Sequence, residues 1–447
     1  MTKNTVRIIC ILVFLKGIVL IFTVPPWEAP DEPGHVSYVR YLTQTRRLPS
    51  SRIPVQPLSV ADSFLTNRHL LQNPAATVPQ ELFDRSEESL SPELLNLASH
   101  PPLYYLYEIP FAAAGSFMTS YGYFLSLRTG TLLLYPLILV AAFGLAERLT
   151  GKQTAAVLTV VLLALHPMLT FMSSVVNNDV AVVLCFTVLM SLFVRFTRVR
   201  SDTKTVGATV FVAALAPLVK PQLAVLLPIL AYLLLKRYPR YKALQYIILS
   251  AIPGIAWAMF AIWREGLAYF AYSVQPPLVP SPVWHYLPAF ISTKQPVGIL
   301  MSIWGFFGWL DVPMPDWTYL AWTTVLTVSI LIFARYTGFR GSLPGSWKII
   351  LISAFLYGLT ILGYDLQVFA LSSKFVIHGR YLLPLAVPLS VWLAKVAADR
   401  QAQGHSWLTV LLLAVYGISQ AMMFWSIYTA YYGKTGIPGL PFFRYTL

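Results

Sequence analysis

Pro101-Pro102-Leu103-Tyr104-Tyr105-Leu106-Tyr107-Glu108-Ile109-Pro110-Phe111-Ala112-Ala113-Ala114-Gly115-Ser116-Phe117-Met118 is the segment on which the sidedness of the whole chain turns. It is apolar, yet short, and Glu108 and Pro110 interrupt it. Crossing the hydrocarbon of a bilayer takes roughly 20 mostly apolar residues. If this segment crossed, every later loop would change sides.

Unambiguous apolar runs lie near 6–24, 126–146, 153–173, 179–195, 243–263, 317–334, 348–366, 381–397 and 407–429. A longer one over 204–235 is broken at Pro217-Leu218-Val219-Lys220-Pro221 and reads as two short helices meeting at a polar break. The first run behaves as a signal-anchor: Lys3 and Arg7 precede it, and Val24-Pro25-Pro26-Trp27 follows in place of a small-residue cleavage site. The expected fold is therefore all-α, a polytopic membrane protein of about 11 transmembrane helices.

The positive-inside rule decides the place of 101–118. With that segment kept at the interface, the cytoplasmic loops hold 17 basic residues against three acids, Glu147, Asp202 and Asp399. The external side then holds 14 basic residues and 15 acids, and Lys16 remains inside the first span. Counting 101–118 as a span would put every later basic cluster on the wrong side. The segment is expected to be an interfacial or re-entrant helix, with the N-terminus cytoplasmic and the protein multi-pass in the inner (plasma) membrane.

The same charge count excludes nucleic acid as a partner. A net charge of +14 comes from short separate loops, with no groove-reading motif. Membrane lipid, partly anionic on the cytoplasmic side, is the partner this distribution suits. The chain is 57% hydrophobic and 11% charged, against roughly 25% charged in a soluble protein, so much of its surface faces lipid. It reads as one integral-membrane unit over 1–447. A first external loop at 25–125 carries interfacial helices, and core helices fill 126–263. An external loop occupies 264–316, and C-terminal spans fill 317–447.

The acids gather outside. Pro30-Asp31-Glu32-Pro33-Gly34-His35 opens the first loop and leads into Val36, Val39 and Leu42 at helical spacing. Pro33 suits the start of a helix, which puts Asp31 and Glu32 at the positive end of its dipole. The residues serve equally as a capped surface helix with solvated acids or as a catalytic carboxylate beside the membrane. Asp179, after Asn177-Asn178, opens a span and reads either as an N-cap or as a second functional acid.

Arg128 opens a span, Lys220 sits at the helix break, and Lys374, His378 and Arg380 precede the tenth span. An arginine at a helix end commonly snorkels to headgroups. A lysine between prolines and two short apolar helices instead resembles the discontinuous helices that line intramembrane sites. Together these cations suit a phosphate, Arg as a fork and Lys as a point charge. Trp304-Gly305-Phe306-Phe307-Gly308-Trp309 reads as an interfacial aromatic belt, although two glycines three apart also permit close approach of a ligand or helix. The seven histidines are scattered, there is no HExxH, and Cys10 and Cys185 lie in apolar runs, so no metal or cofactor set is expected.

The order of these motifs carries a resemblance that covers nearly the whole chain. A first span is followed by Pro-Asp-Glu-Pro with His35. Then come His100-Pro101-Pro102-Leu103-Tyr104-Tyr105, Asn177-Asn178-Asp179 and Lys220. Trp304-Gly305-x-x-Gly308-Trp309 and His378-Gly379-Arg380-Tyr381 complete the series. The chain resembles a family of bacterial predicted membrane proteins allied to the GT-C glycosyltransferases, the class that includes protein O-mannosyltransferases and aminoarabinose lipid A transferases.

That resemblance implies transfer of a sugar from a polyprenyl-phosphate donor to an envelope glycan, lipid or protein acceptor on the external face. It implies Asp31 or Glu32 as the base and Asp179 as the second acid. Lys220 and Arg380 fall near the lipid phosphate, with His35, His100, Arg128 and His378 as further substrate-binding candidates. Pro221 and Gln222 after Lys220 depart from the Thr-Lys-Gly of aminoarabinose transferases, so the donor contacts differ. Basic side chains in place of a metal, and inversion by single displacement, complete the expectation. A transporter or flippase of lipid-linked saccharides, or a non-catalytic subunit of envelope-polysaccharide assembly, would use the same acids and cations for binding alone.

Overall fold

The computed structural model of the protein describes residues 2–50, 97–118, 120–198, 203–266, 281–337 and 344–432. Residues 51–96 and 267–280 of the two loops expected to be external lie outside this description, as do Arg200, Asp202 and Arg340 of the expected cytoplasmic count. Among the described residues the chain is helical apart from a two-stranded antiparallel ribbon, β1 (Phe306–Phe307) and β2 (Val312–Pro313). Seven described helices are long and apolar enough to cross a membrane, and three shorter apolar ones cover Gln153–Ala164, Thr203–Val219 and Asp316–Ile332. The expected eleven crossings thus stand against seven helices of spanning length and three shorter ones, and the broken segment after Lys220 falls in neither group.

Helix α1 (Thr2–Thr23) leads through a loop to α2 (Glu32–Thr45), whose Val36, Val39 and Leu42 are buried as their spacing predicts. Helix α3 (Leu103–Gly115) and α4 (Ser120–Thr150) form an antiparallel hairpin. Tyr104 bonds Thr131, Tyr107 donates to the Gly130 carbonyl at 2.8 Å, and Ser126 donates to the Phe111 carbonyl. All of α3 thus lies along the first turns of α4. At 31 residues α4 is about 46 Å long, more than the roughly 30 Å of hydrocarbon, so its extra turns carry α3 at one end.

Glu108, which interrupts the apolar pattern of α3, is fully buried against α4 and accepts from Thr131 at 3.0 Å. Burial pushes its carboxyl up to about 8 against the opposing hydrogen bonds from Thr131 and Tyr104, so it is held as the neutral acid at pH 7. That is how an acid fits a helix that reads as apolar.

The run at 153–173 divides into α5 (Gln153–Ala164) and α6 (Pro167–Met172), where a single span was expected. The cause is local: His166 precedes Pro167 and is extended, as a residue before proline prefers, and its ring caps α6 through Leu169 N–H. Lys16, left within the first span, donates to Ala164 carbonyl, Thr170 at 3.0 Å and Gln420 at 3.2 Å. Its ammonium is thereby satisfied inside the bundle rather than exposed to lipid.

Helix α7 (Asp179–Arg198) is followed by α8 (Thr203–Val219), a 3-10 turn (Pro221–Leu226), α9 (Leu227–Arg237) and α10 (Arg240–Glu265). Beyond these come α11 (Tyr286–Ser292), α12 (Gln295–Trp304), α13 (Asp316–Thr337) and α14 (Gly345–Ser372). A second 3-10 segment (Gly379–Leu385) leads into α15 (Ala386–Gln401), and α16 (Trp407–Tyr432) closes the bundle. At the end of the bundle away from Asp179, Lys152 pairs with Asp399 at 2.7 Å and Lys395 joins the same carboxylate. This brings two of the expected cytoplasmic loops together.

The aromatic segment at 304–309 differs from a membrane belt. Trp304 is 1% exposed and stacks on Trp322 with ring centroids 3.6 Å apart. Trp309 donates to the Trp27 carbonyl at 2.8 Å, tying the ribbon to the first loop. Gly308, at φ 60°, makes the ribbon's turn, and a side chain there would meet Asp311 and Tyr431. Trp317, beyond this segment at the start of α13, is largely exposed, as a belt residue would be.

Candidate active site

The loop between α1 and α2 is built around one buried ion pair. Arg128 and Glu32 are both fully buried and meet through two parallel bonds of 2.8 and 2.7 Å. The guanidinium also donates to the carbonyls of Ile21, Val24 and Pro25, while the Glu32 carboxylate accepts from the Val176 N–H. Every strong donor and acceptor of the pair is thereby used, which is the condition for burying charge. Neither residue lines the cavity described next.

Asp31, immediately before Glu32, has φ 63° and faces the other way. Its carboxylate is 38% exposed into a cavity of about 220 Å³. Asp31, His35, His100, Asp179, Lys220, His378 and Arg380 all border that cavity, although they come from five separate parts of the chain. Lys374 is exposed and does not border it.

Two ion pairs define the floor. Arg380 reaches Asp31 at 2.5 Å and also donates to the Pro30 carbonyl at 3.3 Å. Lys220 reaches Asp179 at 2.6 Å. Tyr381 sits between the cations: its ring lies 4.8 Å from the Lys220 ammonium, and its hydroxyl is 3.2 Å from Arg380. Burial would push the Asp31 carboxyl up, but Arg380, with His35 and Lys220, overrides it and holds the group well below the usual carboxylate range.

Local sequence explains each placement. Lys220 precedes Pro221, so its backbone is extended and the helix stops, presenting the ammonium at the break. Asp179 is not spent as a cap, because the Asn177 side chain accepts from both Asp179 and Val180 N–H. Its carboxylate is therefore turned to Lys220. Arg380 follows Gly379, whose N–H donates to Ser302 at 2.7 Å. A Cβ on Gly379 would stand 2.1 Å from Ile303 nitrogen and 2.4 Å from Ile299 oxygen, so only glycine lets the Arg380 segment lie on α12. Asp365 accepts from Val376 and Ile377 N–H at 2.7 and 2.8 Å and so shapes the turn before His378.

His35 and His100 lie together, with ring centroids 6.3 Å apart. His35 bonds Tyr105 at 3.0 Å, Tyr105 bonds His100 at 3.3 Å, and Asn178 lies 3.4 Å from the same His100 nitrogen. Burial lowers His35 to about 4 and His100 to about 3, and lowers His378, beside Arg380, to about 4. All three are neutral at pH 7 and act as hydrogen-bonding groups. Asn178, Gln222, Tyr364 and Tyr381 also border the cavity and were not singled out as site residues from the sequence. Asn178 and Tyr381 stand inside quoted motifs, while nothing in the spacing marks Tyr364. Among the described residues no group of three or more His, Cys, Asp or Glu side chains gathers as a metal site.

The model of a predicted membrane protein family, DUF2142, matches residues 14–389. The chain belongs to this family. That match covers every residue of the two ion pairs. No curated protein matches the sequence. The DUF2142 chain is similar in structure to ArnT from Cupriavidus metallidurans bound to undecaprenyl phosphate, with TM-score 0.54 and 12% identity over 96% of this chain and 77% of that one. The apo state of the same ArnT gives TM-score 0.53 at 12% identity, over 96% and 76%. An Archaeoglobus fulgidus oligosaccharyltransferase in its apo form follows at TM-score 0.48 and 9% identity, over 94% and 56%. The DUF2142 fold is thus GT-C-like, a polytopic helical membrane architecture.

Proposed function

We propose that the protein is a membrane glycosyltransferase that moves a sugar from a polyprenyl-phosphate donor to an acceptor hydroxyl on the external face. One observation carries this reading: a single cavity holds two carboxylates, each paired with a cation from a different part of the chain. The ArnT bound to undecaprenyl phosphate shares the fold and supports a polyprenyl phosphate as the donor's lipid part. The N-terminus is cytoplasmic in this reading, and the cavity opens on the outer side of the plasma membrane.

The carboxylates hold Arg380 and Lys220 in place. A donor phosphate draws both cations, which leaves Asp31 less strongly paired and more basic. Its carboxylate then takes the proton as the acceptor oxygen attacks the anomeric carbon. The bond from that carbon to the phosphate oxygen breaks, and the configuration inverts. Polyprenyl phosphate leaves with its negative charge stabilised by Lys220 and Arg380. Asp179 positions Lys220, and the neutral His35, His100 and His378 contact sugar hydroxyls. The acceptor is an envelope glycan, lipid or protein. No metal is needed in this scheme, since the two cations serve the leaving phosphate.

Purified protein in vesicles, supplied with radiolabelled polyprenyl-phosphate sugar and membrane extract, tests the reading. Label passing to a new acceptor, and lost in Asp31→Asn, is the expected result. Label that only crosses the bilayer identifies a transporter. Activity abolished by a chelator and restored by divalent metal overturns the metal-free scheme.

A further inference from the structure

A second cavity, of about 600 Å³, lies at the opposite ends of helices that build the first. Helix α7 begins at Asp179 in the donor cavity and ends beside this one, at Phe196 and Thr197. Helix α9 descends from the turn after Lys220 and contributes Tyr232, Leu233, Lys236 and Arg237. Helix α14 begins here, with Gly345, Lys348, Ile349 and Ile352.

Among the described residues, three cations therefore line the groove and no carboxylate does. Arg237 is fixed by donating to the Phe196 carbonyl at 3.1 Å, with its guanidinium over the Phe196 ring. Lys348 stands in the first turn of α14, which has no acidic residue there. A cation at that end adds to the positive pole of the helix instead of offsetting it. Helix termini usually place lysine at the other end, so Lys348 suits an anion brought from outside.

The rest of the groove is apolar and opens sideways to lipid. Tyr232 is 57% exposed and Ile352 is 51% exposed, one on each wall. A ligand that fits both parts has an anionic head and a hydrocarbon tail. We propose that this groove binds the phosphodiester headgroup of an anionic glycerophospholipid, with an acyl chain between α9 and α14. The proposal is independent of the transferase reading, which supplies only the name of the leaflet, the cytoplasmic one.

The bland account of these cations is that they only set topology. Arg240 and Lys242 are exposed on the same side, lie outside the groove, and serve as the comparison. Detergent-purified protein is titrated with phosphatidylglycerol, phosphatidylcholine or inorganic phosphate. Bound lipid is read by native mass spectrometry and by the shift in melting temperature. Phosphatidylglycerol should bind and stabilise, whereas the other two should not. The Lys236→Gln/Lys348→Gln double variant should bind phosphatidylglycerol about tenfold to thirtyfold more weakly.

Equal weakening in Arg240→Gln/Lys242→Gln would reduce the effect to general surface charge and overturn the site. Equal binding of phosphatidylcholine would remove the anionic requirement, and equal binding of phosphate would remove the lipid. If the groove double variant does not fold, Lys348→Gln alone carries the same comparison.

Discussion

Arg380 meets Asp31 at 2.5 Å across 349 residues of sequence, and a second pair, Lys220 with Asp179, lies in the same cavity. The Asp31 carboxylate is thereby held below its ordinary range against the burial that would raise it. The proposed donor phosphate competes for these cations, so the pairs describe the resting site and point to how it is disturbed.

Asp31→Asn keeps the side chain's shape and removes its basicity. Sugar transfer should fall by about 10²–10⁴-fold, the usual contribution of a positioned base, while the protein stays folded. Transfer assays beside melting curves in detergent check both halves. Unimpaired transfer by a folded variant would remove Asp31 from the role.

Glu32→Gln should behave oppositely. It leaves Arg128 with an uncompensated buried charge, and breaking one side of such a pair costs about 3–5 kcal/mol. The variant should unfold at lower temperature than Asp31→Asn, and a melting curve like that of the unchanged protein would overturn the anchor role.

Lys220→Met should weaken binding of undecaprenyl phosphate, by about 10–100-fold if one charge-assisted contact is lost. Asp179→Asn should weaken it through the same contact. The two changes together should therefore cost less than the product of the separate effects. Fully additive losses would show that the two residues act apart.

The pH dependence has two windows of the same sign. Asp31 is held below its ordinary range, so its pairing stabilises the fold fully above about pH 4 and is lost as pH falls below that. His35 and His100, lowered to about 4 and about 3 by burial, stay neutral in the fold while the unfolded chain takes up protons below about 6.5. Stability should thus already decline between pH 6.5 and 4, and His35→Gln or His100→Gln should flatten that slope. Chemical denaturation across this range measures it, and an unchanged slope in both variants would count against the buried neutral rings.

Gly379→Ala inserts a methyl into backbone atoms of α12. The Arg380 segment must shift, so transfer should drop by more than tenfold, a loss of about 1.4 kcal/mol or more in transition-state binding. A variant with full activity and unchanged melting would show that the contact yields without cost.

The long apolar helices were legible because hydropathy reports on contact with lipid directly. The expectation that 101–118 stays at the interface rests on the charges of distant loops, whereas the packing of α3 along the first turns of α4 has no signal in its own sequence. Three things were not legible. Asp31 and Glu32 are neighbours with the same chemistry, and only the φ of 63° at Asp31 sends them to different partners. Asp179 reads as a cap until Asn177 is seen to do that work. The tryptophans of 304–309 have the composition of a belt, and composition does not distinguish a ring against lipid from one stacked on Trp322.

The buried Arg128–Glu32 pair fixes more than its own corner. Glu32 adjoins Asp31, and through Val176 the same carboxylate holds the turn that ends at Asp179. The spacing between the two acids of the cavity is thus set like a gauge block, by one guanidinium and one carboxylate. A single altered charge at Arg128 would therefore disturb both acids at once.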